Sequence, residues 1–163
     1  ALMQRWEGDA QPRAMSFLTD TPNKGDTPCY LTYTNSDTHR VVLQNLERSP
    51  MTKGRDGAPG PRYCPSIEEK ILRFPERERH QVFVEPESLS SREMYLQGLF
   101  SGLPENVQVE MLGTIPGLKQ ARIMRGAYAI AYDCIDSRAL LPSLESKPVQ
   151  GLFFAGQVNG LWP

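Results

Sequence analysis

The 163-residue chain predicts a mixed α/β fold of the α+β type, and three observations carry that expectation. Two stretches place a hydroxyl residue three positions ahead of a carboxylate and continue with apolar residues at helical spacing, the pattern of a capped amphipathic helix. Two others, Cys29-Tyr30-Leu31-Thr32-Tyr33-Thr34 and Gln81-Val82-Phe83-Val84-Glu85, are rich in β-branched and aromatic residues, and the second alternates like a strand. Prolines and glycines separate these runs, so helices and strands are interspersed along one chain.

Residues 1–28 mix Pro12, Pro22, Gly25 and Pro28 with polar residues and read as loop, with one short strand around residues 14–18. After the 29–34 strand, Thr34 and Asp37 have the spacing of a capping box, and Val42 and Leu46 fall on one face. A helix is expected from Asn35 to Leu46, ended by Ser49-Pro50. Gly54, Gly57 and Gly60 then recur at every third position, the collagen register, but so few triplets hold no triple helix and the stretch reads as a Gly/Pro loop.

Ser66 and Glu69 form a second capping-box pattern, with Ile67, Ile71 and Phe74 at i, i+4, i+7 and Pro75 as the stop. Pro86 closes the 81–85 strand. Pro104, at a first helical position, precedes Val107, Met111, Leu112 and Ile115, and Pro116-Gly117 ends that helix. Tyr128-Ala129-Ile130-Ala131-Tyr132 and Leu152-Phe153-Phe154-Ala155 read as buried strands, the latter flowing into the turn Gly156-Gln157-Val158-Asn159-Gly160.

With 18 Lys+Arg against 19 Asp+Glu, a net charge of −1, the chain is no general polyanion binder. The charge is uneven, however: residues 40–80 hold nine basic and six acidic residues, a local +3. That stretch is either a solvated, salt-bridged face or a patch for phosphate. No run approaches the roughly 18 apolar residues of a membrane span, and no secretory leader pattern occurs, so a soluble, cytoplasmic protein is expected. Cys29, Cys64 and Cys134 lie far apart without CxxC spacing, which argues against a disulfide framework and, with only 2 His, against a zinc site.

Three features could carry chemistry. Cys64 sits between Tyr63 and Pro65, just ahead of the Ser66 cap, where helix amides and Arg62 favour a thiolate; an ordinary unreactive thiol is the competing reading. The same helix start, with Gly60 and Arg62, could hold a phosphate. Gly156 to Gly160 is a strand-end turn in which Gln157 or Asn159 could hydrogen-bond a cofactor edge, although the full GxGxxG register is missing.

The segments Gly60-Pro61-Arg62-Tyr63-Cys64-Pro65-Ser66-Ile67-Glu68-Glu69-Lys70, His80-Gln-Val-Phe-Val-Glu-Pro-Glu87, Ala127-Tyr-Ala-Ile-Ala-Tyr-Asp133 and Gly151-Leu-Phe-Phe-Ala-Gly-Gln-Val-Asn-Gly160 together resemble the MnmG (GidA) family of tRNA uridine-modifying flavoproteins. Family members carry GPRYCPSIEDK, HQIFLEPEG, GYAIEYD and GLFFAGQING in that order. The chain departs at Ala127 and Ala131, and after Gly160, where the family continues TTGYEEAAAQG.

The resemblance implies an enzyme using FAD and NAD(H) that, with a partner GTPase (MnmE), builds the carboxymethylaminomethyl or aminomethyl group on C5 of the wobble uridine of tRNA. Methylene-tetrahydrofolate is the implied carbon donor and the full-length protein an implied homodimer. The family's NAD-binding stretch maps onto Gly60 through Lys70 and on through Ile71, Leu72, Arg73 and Phe74. Its implicated cysteine maps to Cys64 and its FAD-contacting glutamine to Gln157. Residues 1–135 would then be the NAD-binding insertion domain of a two-dinucleotide-binding flavoprotein, and 136–163 part of the return into its FAD domain. A fragment of this kind is expected to be inactive alone. The alternative is a non-catalytic tRNA- or protein-docking module that uses the basic stretch 40–80.

Overall fold

The structure, a computed structural model, describes residues 2–21, 27–50, 66–128, 130 and 134–159. Strands β1 (Gln4–Trp6), β2 (Cys29–Tyr33), β3 (Gln81–Pro86) and β4 (Met94–Gln97) form an antiparallel sheet in chain order. Helices α1 (Ser36–Gln44), α2 (Ile67–Arg73) and α3 (Glu105–Thr114) supply the second layer, α1 packing against both α2 and α3. The α+β class is thus as expected. Because every pairing is antiparallel, no strand–glycine turn–helix unit of the dinucleotide-binding type occurs among the described residues.

Register decides which residues build the core. Tyr30 opposes Val84 and Thr32 opposes Val82, while Leu31 opposes Phe83 and Tyr33 opposes Gln81. The period of two sends Val82 and Val84 to the helix side. There they join Val42 of α1, Ile67 and Ile71 of α2, and Val107 and Met111 of α3 in one buried cluster. Each such side chain contributes about 1.5–3 kcal/mol by leaving water. Leu31, Tyr33 and Phe83 share the opposite face, where Trp6 meets Phe83 edge-on with ring centroids 6.1 Å apart.

The first helix is capped one residue later than its Thr34/Asp37 spacing predicts. Thr34 continues the β2–β3 ladder instead: its N–H donates to the His80 carbonyl at 3.0 Å, and its hydroxyl accepts the His80 N–H at 2.8 Å. With Thr34 occupied, Asn35 caps the helix; its Oδ1 accepts from Thr38 N at 3.0 Å, and Thr38 Oγ1 accepts from Asn35 N at 3.2 Å. The helix ends at Gln44, a 3-10 turn covers Leu46–Arg48, and Ser49 is extended ahead of Pro50, as the proline ring demands. The second helix starts as expected, with Ser66 Oγ accepting from Glu69 N at 3.2 Å. Pro104 stands at the cap of α3, one position earlier than predicted, and its carbonyl accepts from Val107 N and Gln108 N.

Three expected strands are corrected. Residues 14–18 form a turn, because Ser16 offers its hydroxyl to Leu18 N and its carbonyl to Thr19 N, and this local bonding overrides the apolar pattern. The edge strand is Gln4–Trp6. At 128–132, Tyr128 (66% exposed) and Ile130 (45%) lie outside any strand and the other positions fall outside the described residues. The preceding Ala127 bonds to a side chain: Gln108, buried on α3, accepts from Ala127 N at 2.8 Å and donates to the carbonyls of Ala127 and Leu103. In 152–155, Leu152 (42% exposed) and Phe153 (59%) are no core strand. That segment folds back on 144–146 through Ser146 N to Leu152 O and Phe154 N to Leu144 O, and does not join the sheet.

No helix among the described residues is long and apolar enough to cross a membrane. The Gly/Pro triplets of 54–62 lie outside the described residues.

The two candidate caps differ in measurable cost. Asn35→Ala removes the cap and the Nδ2 bond to Thr114 O at 2.8 Å, and should cost about 1–2 kcal/mol in urea unfolding. Asp37→Ala loses only an exposed pair with Arg40 and should cost less than about 1 kcal/mol. The reverse order would restore the Thr34/Asp37 cap.

Candidate functional site

The residues mapped from the sequence divide three ways. Gly60, Pro61, Arg62, Tyr63, Cys64 and Pro65 lie outside the described residues. Ser66, Ile67, Glu68 and Ile71 are buried and serve the fold. The N–H of Ile67 donates to Phe100 O at 2.7 Å and that of Glu69 to Ser66 Oγ, so these amides at the start of α2 already have partners within the chain. Glu68, 1% exposed, uses Oε1 to accept from Ser49 Oγ and Gly102 N, both at 2.9 Å, while its Oε2 is buried without a partner. The Glu68 carboxylate is thus buried beside the Ser66 cap, tying the start of α2 to Ser49 and Gly102.

Positive charge collects at the other end of α2. Lys70, Arg73 and Phe74 line a cleft of about 690 Å³ together with Arg77 and Arg79 from the loop before β3. Its floor is the outer sheet face, where Tyr33 and Phe83 present aromatic rings. Lys70 Nζ donates to Gly98 O at 2.9 Å, and Gly98 has φ +94 with Gln81 O only 2.6 Å from where a Cβ would stand, so that close approach requires glycine. The Arg79 guanidinium lies 4.3 Å from the Tyr33 ring centroid and that of Arg77 5.1 Å from the Phe74 ring. Glu76 and Glu78 do not line this cleft; they border a larger open groove of about 1330 Å³ on the α1 side with His39 and Arg40, a groove that Arg77 and Arg79 line as well.

Between the two hollows lie His39 and His80, ring centroids 5.3 Å apart, with Thr34 Oγ1 at 2.8 Å from His39 Nε2. Residue His80 is 7% exposed and its Nε2 is buried without a partner. Burial holds both imidazoles below their ordinary basicity, and at His80 the charges of His39, Lys70 and Arg77 push the same way against Glu76. Burial likewise lowers Lys70. Sequence patterning alone did not single out His39, His80, Arg77 or Arg79 as a group, because residues 33, 39, 70 and 77–80 converge only through the β2–β3 pairing.

Gln157 stands apart from this cleft, on the 3-10 turn Gly156–Asn159. The turn is held by Val158 O accepting from Ile135 N at 2.7 Å and by Asn159 Nδ2 donating to Phe154 O at 2.9 Å. The half-buried Gln157 keeps its side chain out of hydrogen bonds among the described residues, and the buried Asn159 Oδ1 lacks a donor. Cys29 and Cys134 are thiols.

The family model described as Glucose inhibited division protein A matches residues 1–162. The chain belongs to this family. Relatives within it include the tRNA uridine 5-carboxymethylaminomethyl modification enzyme MnmG of Clostridium novyi (strain NT), 51% identical over 154 residues, which are 94% of this chain and 24% of that protein. The MnmG of Listeria welshimeri is 54% identical over 153 residues, again 94% and 24%. Among solved structures, Aquifex aeolicus GidA in its form I crystal aligns with a TM-score of 0.74 at 43% identity, covering 100% of this chain and 28% of that one. The chain therefore spans about a quarter of the length of the curated GidA relatives it matches.

The histidine pair has a stability signature. Imidazoles protonate near pH 6.5 in the unfolded chain but less readily in the fold, so the unfolded state binds more protons and stability declines as pH drops below about 6.5. The urea midpoint should fall between pH 7 and pH 5.5, above the range in which most carboxylates titrate. His80→Gln should flatten that slope; an unchanged slope would show that the pair does not titrate on unfolding.

Proposed function

We propose that the chain is the nucleotide-binding part of a tRNA-modifying flavoenzyme that installs the carboxymethylaminomethyl group at C5 of the wobble uridine. The observation that carries this reading is about 50% identity across 94% of the chain to proteins named for that modification. Residues 1–135 act as the NAD-binding insertion domain, and 136–163 contribute to the flavin domain. The nicotinamide and flavin groups, when bound, supply the hydride and the reducing equivalents. This chain's own residues hold them: the 60–74 stretch the nicotinamide dinucleotide, Gln157 the flavin, and Cys64 takes part at the reacting carbon.

The structure supports the fit in two places. Lys70, Arg73 and Phe74 offer cations and an aromatic wall to a polyphosphate ligand, and Gln157 with the unpartnered Asn159 Oδ1 offers polar groups at a rigid turn. Methylene-tetrahydrofolate as carbon donor, a partner GTPase, tRNA and a second copy of the full-length protein complete the proposal, in the cytoplasm where tRNA is modified. The docking-module reading has no comparable support.

A segment exchange tests this. Replacing the matching quarter of the Listeria relative with this chain should retain carboxymethylaminomethyluridine in tRNA, measured by nucleoside mass spectrometry, and Cys64→Ser in that hybrid should abolish most of it. An inactive hybrid that still folds would contradict the functional reading; full activity of the serine variant would return Cys64 to an ordinary thiol. The isolated chain should bind NADH weakly and FAD hardly at all, and tight stoichiometric FAD binding would refute the division between the two domains.

A further inference from the structure

We infer that the cleft at the C-terminal end of α2 is an anion site for the diphosphate of a nucleotide, built by Lys70, Arg77 and Arg79 with Tyr33 and His80. It deepens the nicotinamide-dinucleotide reading by adding residues outside 60–74, and rests on that reading only for which nucleotide is bound. The end of α2 presents carbonyls, so any attraction for phosphate has to come from side chains. Those side chains are there. Neither Arg77 nor Arg79 is in an ion pair among the described residues, and each guanidinium lies over a ring, which leaves its N–H groups for a ligand. The Lys70 ammonium uses one donor on Gly98 O and has two more.

Two further observations bear on the ligand. His80 is more than nine-tenths buried and forms part of the cleft wall with its unpartnered Nε2 closed off from the open space, so a bound anion acts on the ring through its charge and not through a hydrogen bond. No carboxylate lines the cleft, whereas Arg77 and Arg79 border both it and the neighbouring groove that Glu76 and Glu78 line. The open hollow of about 690 Å³ with aromatic walls has room for a small nucleotide.

Calorimetric titration of the chain with ADP and with NADH, at fixed low salt, tests the site. Arg77→Ala/Arg79→Ala should weaken both ligands about tenfold or more, the scale of losing two charge-assisted contacts, with an unchanged thermal melt. Arg77→Lys/Arg79→Lys should recover part of the loss, and the His80 imidazole resonances of the unsubstituted chain should shift on adding ADP. ADP binding that weakens in the variants while NADH does not bind would uphold the site and remove the nicotinamide reading. NADH or ADP binding indifferent to the double variant, binding of neither nucleotide, or salt-steep binding of RNA alone would each overturn the inference.

Discussion

The bond between the Thr34 hydroxyl and the His80 N–H is the constraint on which the described architecture turns. It closes the β2–β3 ladder one residue beyond the strands, and it takes Thr34 away from the helix so that Asn35 becomes the cap. By fixing His80 it also fixes the loop before it, which aims Arg79 at Tyr33 and Arg77 at Phe74. Leaving the buried His80 N–H without an acceptor would cost about 1–3 kcal/mol. One hydroxyl therefore couples the sheet, the first helix and the cationic cleft.

Packing and charge are separated along α2. Its first turn is buried, with Ile67 in the core and Glu68 tying Ser49 to Gly102, whereas its last turn delivers Lys70 and Arg73 to the cleft. The local +3 of residues 40–80 is therefore not a uniform basic patch. Arg48 is engaged with Asn45 and Asn106, and Arg40 with Asp37. The antiparallel sheet has no glycine-rich strand-to-helix turn among the described residues, so the nucleotide site proposed above is built from side chains.

Much of this was legible in the chain. The pattern of residues 81–85 gives a strand, and Ser66 with Pro75 bounds the second helix closely, because those signals are local. The misreadings came where a distant partner decided the outcome. Thr34 looks like a cap until His80 is seen to occupy it. Residues 14–18 look like a strand until Ser16 claims the neighbouring amides. The strand expected at 128–132 follows Ala127, whose N–H and carbonyl are both held by the buried side chain of Gln108. Of the residues lining the cleft, Lys70, Arg73 and Phe74 lie in a motif visible in the sequence, whereas Arg77, Arg79 and His80 join them only in three dimensions.

If the side chains gathered by the Thr34–His80 junction recognise the nucleotide, as we propose, then chemical-shift mapping of the amide signals during titration with NADH finds the largest changes on Tyr33, Lys70, the 77–81 loop and Gly98. Changes confined to the start of α2 near Ser66, or to the Gly156–Asn159 turn, with the 77–81 signals unmoved, would contradict it.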